Sequence, residues 1–200
     1  LETAFGGGKT HTLIALAHLG FRGREIATDI GALLPSHFLP APGAVTVVGV
    51  AGDELPVHPP RTGEMSPHTL WGEIALQAGG GQLYEQVRTE AESFAAPGKN
   101  YLDQIFRGRK VLILLDELAQ YAARFQAARP GGGDQLAAFL MSLHGFARHH
   151  PGIAVVLTLA GQTDAFAGET ERLAELVSAV RGEAVDPEQV ATLSQQAGKS

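Results

Sequence analysis

Three short runs of the chain are almost wholly apolar: Ala44 to Val50, Val111 to Leu115 and Ile153 to Leu159. They are continuous rather than alternating, and Gly, Pro or Asp bound them. That pattern predicts strands of a parallel sheet covered on both faces, since an antiparallel sheet with one wet face alternates apolar and polar positions. Between the runs, apolar residues recur at helical spacing over Thr10–Leu19, Pro67–Gln77, Gln82–Phe94, Tyr101–Phe106, Glu117–Ala128 and Gln135–His149. Ser66 is the expected N-cap of the second of these, with Pro67 at its first position. Strand and helix patterns therefore take turns, which predicts an α/β fold of three layers with a mostly parallel sheet. Glu169–Arg181 and Pro187–Gln196 read as terminal surface helices. The expected division is a core over residues 1–168 and a C-terminal helical segment over 169–200.

Composition narrows the class. Two hundred residues suit one domain with one core. The net charge of −6 disfavours a nucleic-acid or acidic-membrane binder driven by bulk charge. With no cysteine, disulfide frameworks, thiolate metal sites and cysteine nucleophiles are excluded, and a cytoplasmic location is the default expectation. No apolar run reaches the length of a membrane span, and the start Leu-Glu-Thr-Ala-Phe lacks the regions of a signal peptide. Because residue 1 is Leu, the chain reads as either processed or a window cut from something longer.

Nine of the 25 glycines fall in three clusters, and the first carries the sharpest chemistry. Thr3-Ala4-Phe5-Gly6-Gly7-Gly8-Lys9-Thr10 precedes a helical pattern and has the second half of a phosphate-binding P-loop. In such a loop backbone N–H groups converge on phosphate oxygens, the lysine meets the β- and γ-phosphates and the hydroxyl ligates Mg²⁺. Thr3 stands where the pattern has its first glycine. A plain glycine turn before a helix is the bland alternative. The clusters Ala78–Gly81 and Pro130–Gly133 lack the following Lys-Ser/Thr and read as helix-terminating linkers. Gly198-Lys199-Ser200 ends the chain and receives no role.

The second signal is Lys110-Val111-Leu112-Ile113-Leu114-Leu115-Asp116-Glu117, an apolar strand ending in two acids. It has the form of a Walker B strand. There the first acid holds Mg²⁺ and the second polarises the attacking water. The alternative is that Asp116 merely caps a helix starting at Glu117. In the third apolar run Thr158, with Gln162 second, is the candidate that senses the γ-phosphate, and simple strand packing is its alternative.

These residues resemble a known family. Leu1–Leu13, Thr69-Leu70-Trp71-Gly72-Glu73-Ile74-Ala75 and Leu112–Leu118 are similar to a group of large prokaryotic AAA-like P-loop ATPases catalogued as a domain of unknown function. Its members sit in antiphage defence islands and include relatives of the phage-growth-limitation ATPase. The resemblance implies an ATP-driven role, remodelling or signalling, in a multi-protein defence complex. It also implies a strand before the P-loop and an arginine-bearing region after the core, both outside this window. Among Arg124, Arg129, Arg148, Arg172 and Arg181, no motif marks an arginine finger. Residues 1–200 alone are accordingly expected to be marginally stable and nearly inactive.

The eight histidines show no metal-ligand spacing and read as surface or packing residues. Trp71, the single tryptophan, reads as core. Leu55–Pro67 reads as an irregular insertion. The expectation is thus a P-loop ATPase with Gly6, Gly7, Gly8, Lys9, Thr10 and His11 at the nucleotide. Thr10 and Asp116 would hold Mg²⁺, and Glu117, Lys9 and Thr158 would serve catalysis. ATP and other defence proteins are the expected partners, DNA being met indirectly or through missing regions, with no membrane contact and with room for a homo-oligomer. A GTPase is disfavoured because no N-K-x-D motif is visible. An ATP-gated scaffold that binds without turnover is the alternative from another class.

Overall fold

The computed structural model describes residues 8–31, 34–60 and 65–158. Among them, helix α1 (Lys9–Arg22) is followed by a short α2 (Ala27–Ile30), strand β1 (Thr46–Ala51), α3 (Leu70–Gln86), α4 (Arg88–Ala91) and α5 (Lys99–Phe106). Strand β2 (Val111–Asp116), α6 (Leu118–Ala128), α7 (Gly132–His149) and β3 (Ile153–Leu157) complete the order. The three apolar runs are the three strands, each within two residues of its expected start; Leu159 lies outside the described residues. The strands form one parallel sheet in the order β1-β2-β3, with Val48 beside Ile113 and Ile113 beside Val155. The protein is therefore a mixed α/β fold.

Each face of the sheet has its own cover. Val48, Val50, Ile113 and Leu115 pack with residues of α3, α5, α6 and α7 in one apolar cluster. The intervening residues Val47 and Leu112 meet α1 on the other face. Gly20 permits that approach, since a Cβ there would stand 2.5 Å from Val47 Cγ2. Burial follows position in the sheet more than composition. β2, central, is buried at five of six residues, whereas β3, equally apolar, has none buried.

A side chain caps the backbone of one β1 residue on the side away from β2. Thr46 donates its N–H to the carbonyl of Lys110, just before β2, and Gly52 to that of Asp116, each at 2.8 Å, so the alternate residue Gly49 faces away from β2. The Gln77 amide of α3 meets both backbone groups of Gly49, accepting from its N–H and donating to its C=O at 2.8 Å each. One side chain thus satisfies both backbone groups of Gly49, which would otherwise be offered to another strand.

Several local expectations are corrected. Helix α3 starts at Leu70 rather than Pro67, and its N-cap is Thr69 rather than Ser66. The Thr69 hydroxyl accepts from Gly72 N–H at 2.9 Å and donates to the Ala91 carbonyl at 2.6 Å. This double engagement anchors the helix start to α4, a contact that local sequence does not contain. The cluster Gly79-Gly80-Gly81 does not end the helix. Gly80 takes φ 70° at a kink, and helix resumes to Gln86. The expected helix Gln82–Phe94 is split between the end of α3 and α4, with Val87 between them at φ −114°. Trp71 is fully buried, its ring 6.0 Å from Phe125 and 5.5 Å from Phe139. The described parts of Leu55–Pro67 contain no helix or strand. The expected helices Glu169–Arg181 and Pro187–Gln196, and so the division at residue 168, lie outside the described residues.

Candidate functional site

The C-terminal ends of β2 and β3 and the start of α1 meet at one carboxylate. Asp116, the last residue of β2, is only 9% exposed. Its Oδ2 accepts from the Thr10 hydroxyl at 2.7 Å. Its Oδ1 accepts from the Thr158 hydroxyl and from the Glu117 N–H, the latter at 3.1 Å. A buried carboxylate needs such donors, because leaving it unpaired in low dielectric is costly. Thr158 is placed by the sheet itself: it follows β3 and its N–H donates to the Leu115 carbonyl at 2.9 Å.

Thr10 arrives from the opposite direction, on the first turn of α1. The N-cap of this helix is Gly8, at φ 74° and ψ 16°, with no side-chain cap. A left-handed residue immediately before the helix suits glycine, which has no Cβ to clash. The first-turn N–H groups and the helix dipole make this terminus attractive to an anion. Lys9 and His11 occupy the same turn, Lys9 half-buried and His11 exposed. Gly6 and Gly7 precede the described residues, and Gln162 follows them.

Glu117 has the most unusual backbone in this region. At φ 50° it is the one non-glycine with positive φ among the described residues. A non-glycine left-handed residue stores roughly 1–3 kcal/mol and persists only where its surroundings hold it. Here the surroundings are identifiable. The Glu117 carbonyl accepts from the N–H groups of Gln120 and Tyr121 at 3.1 and 3.4 Å, opening α6. Gly52, just past β1, packs on that carbonyl so closely that a Cβ would stand 2.5 Å from its oxygen. Gly52 in turn donates its N–H to the Asp116 carbonyl at 2.8 Å and accepts from the Arg124 guanidinium. The cap of α6 is therefore Glu117, not Asp116. Asp116 belongs to the strand, and its side chain is committed to Thr10 and Thr158.

Two residues that sequence reading passes over, Gly52 and Gln120, complete this corner together with Arg124, one of the arginines without a finger motif. Gly52 had a signal, being a glycine directly after an apolar strand, the place where a close backbone approach is common. Gln120 stands three residues beyond Glu117, and its Nε2 donates to Glu117 Oε2 at 2.9 Å. Of the other arginines, Arg129 lies over the Phe94 ring at 5.4 Å and Arg148 is exposed on α7. Arg172 and Arg181 fall outside the described residues.

The remaining polar candidates stand apart from this corner. His68 is buried, and burial lowers its pKa from the ordinary histidine value, with neighbouring Arg129 acting in the same direction and Glu92 opposing. Tyr121 is pushed up by burial, and its hydroxyl accepts from the Leu70 N–H at 3.2 Å. Among the described residues no group of three His, Cys, Asp or Glu could hold a metal ion, and no helix is long and apolar enough to cross a membrane.

The comparisons with known proteins add one match. Residues 1–184 match the family described as the DUF499 N-terminal domain. No curated protein and no solved structure matches the chain.

Proposed function

We propose that this chain, which belongs to the DUF499 N-terminal domain family of unknown function, binds Mg²⁺-ATP and hydrolyses it. The observation that carries this reading is the paired engagement of Asp116. One hydroxyl comes from the start of a glycine-capped helix and the other from the neighbouring strand, and both meet the carboxylate at the C-terminal end of a central parallel strand. In open α/β sheets that end is where ligands bind.

The donor set suits a hard cation. The Thr10 hydroxyl and the Asp116 carboxylate are oxygen ligands of the kind Mg²⁺ prefers, and they already lie within 2.7 Å of each other. These two residues would hold Mg²⁺, which when bound would supply charge to offset the phosphate oxygens. Lys9 and the N–H groups of the first turn of α1 attract the β- and γ-phosphates. Thr158 holds the Asp116 carboxylate through its hydroxyl, and in this reading it is also the residue that senses the γ-phosphate. Glu117 accepts a proton from water as the water oxygen bonds to the γ-phosphorus. The bond from that phosphorus to the bridging oxygen breaks, releasing ADP. The family resemblance extends this chemistry to remodelling or signalling in a multi-protein, antiphage complex.

Steady-state phosphate release from the intact protein, compared with Glu117→Gln, tests the reading. The variant should bind ATP as the parent does and turn it over at least about tenfold more slowly, the low end of general acid–base assistance. ATP binding with no phosphate release from the parent would instead identify a scaffold gated by nucleotide.

A further inference from the structure

The hydrolysis reading gives Glu117 a task that depends on direction. A carboxylate taking a proton from an attacking water must face that water within hydrogen-bond reach. Asp116 is oriented by donors from α1 and from the residue after β3. The Glu117 backbone is fixed by the left-handed turn and by Gly52. Its side chain still has three rotatable bonds, and none of those contacts touches its carboxylate.

We propose that Gln120 is the positioning residue for Glu117, setting the direction of the carboxylate in the hydrolytic step; this rests on the ATPase reading above. The Gln120 N–H donates to the Glu117 carbonyl at 3.1 Å, and its side-chain Nε2 donates to Glu117 Oε2 at 2.9 Å. Both ends of Glu117 are therefore referred to one residue on the first turn of α6. Gln120 is half-buried, which limits competition from solvent for its amide. The bond engages one carboxylate oxygen and leaves Oε1 for the water. Glutamine serves this purpose because its amide donates at neutral pH without adding a charge beside the phosphates.

The test uses the intact protein. Gln120→Met keeps length and helix propensity and removes the donor. It should lower kcat about tenfold with KM for ATP within about twofold, the signature of an interaction that matters in the transition state and not in binding. Gln120→Glu, which sets a like charge against Glu117, should lower kcat further. In a Glu117→Gln background, Gln120→Met should cause no additional loss, because its effect passes through Glu117. Thermal unfolding of each variant shows whether folding is retained. Parent-like kcat in Gln120→Met overturns the proposal, as does an equal loss in the Glu117→Gln background, which would mark a purely structural role. A parent that binds Mg²⁺-ATP and releases no phosphate overturns the hydrolysis reading, and the proposal falls with it.

Discussion

At the C-terminal ends of the strands, polar groups crowd together: the Asp116 carboxylate takes hydrogen bonds from two hydroxyls and a backbone N–H. At the N-terminal ends the opposite holds. A cavity of about 370 Å³ lies between α1, residues 34–40 and the first residues of β2 and β3, lined mainly by apolar side chains such as Leu16, Leu19, Leu39 and Ile153. Polypeptide direction explains the difference. Parallel strands joined by helices put the N-termini of α1 and α6 at the C-terminal end of the sheet, where unpaired N–H groups favour anions. The other end receives the last turn of α1, and its side chains serve packing. The polar cluster and the apolar packing are thereby separated by the length of a strand, and substitutions at the two ends should fail differently.

The largest expected effect at the polar end is loss of ligand. Lys9→Ala should weaken Mg²⁺-ATP binding by about 100-fold or more, in line with a charge-assisted contact of about 3 kcal/mol. Calorimetry checks the affinity and circular dichroism the fold. Parent-like affinity would remove the phosphate assignment from α1.

Leu39→Ala probes the apolar end. Leu39 is buried, so truncation should cost about 2–5 kcal/mol of stability by denaturant unfolding. Nucleotide affinity of the folded fraction should not change. A parallel fall in affinity would show that the two ends are coupled.

Gly52→Ala sharpens the boundary between the two kinds of failure. The new Cβ would meet the Glu117 and Asp116 carbonyl oxygens at 2.5 and 3.0 Å, and backbone cannot step aside as a flexible side chain does. A loss of about 1–3 kcal/mol is expected. It should come with slower turnover, because the displaced backbone carries Glu117. Stability loss with unchanged kcat would mean that the Glu117 turn tolerates displacement.

The smallest effect belongs to Phe38→Ser. Phe38 is 67% exposed although it borders the apolar cavity, so its replacement should change stability by no more than about 0.5 kcal/mol. A larger loss in the intact protein would show that this side chain is covered there.

Local pattern and long-range placement contributed separately. The three apolar runs announced the strands, Asp116 stood at the end of one of them, and Trp71 read as core, all of which the fold bears out. These features are legible because burial selects residue type position by position. The mixed α/β class followed from the alternation of patterns. Family membership, shown by the match over residues 1–184, agrees with the resemblance to a domain of unknown function carried by Leu1–Leu13, Thr69–Ala75 and Leu112–Leu118.

Placement of caps was less legible. Ser66 and Thr69 are both good N-cap residues, and what selected Thr69 was the Ala91 carbonyl, 22 positions away. Asp116 and Glu117 are both acids at a helix start, and the strand claimed the first while Gly52 held the second in a left-handed turn. Gly80 was read as a terminator because glycine weakens helices, yet α3 passes through it with a kink, anchored on either side by buried Ala78 and Leu83.

By itself the sequence determined which segments become strands, that helical segments alternate with them, and that Gly8-Lys9-Thr10 opens a helix. Only the tertiary structure decided that Thr10 and Thr158, 106 and 42 residues from Asp116, share its carboxylate, and that Gly52 and Gln120 hold the neighbouring glutamate. The reason is that local propensity acts over a few residues. Parallel strand register and the packing of α1 across the sheet join groups distant in the chain, through contacts that exist once the fold has formed.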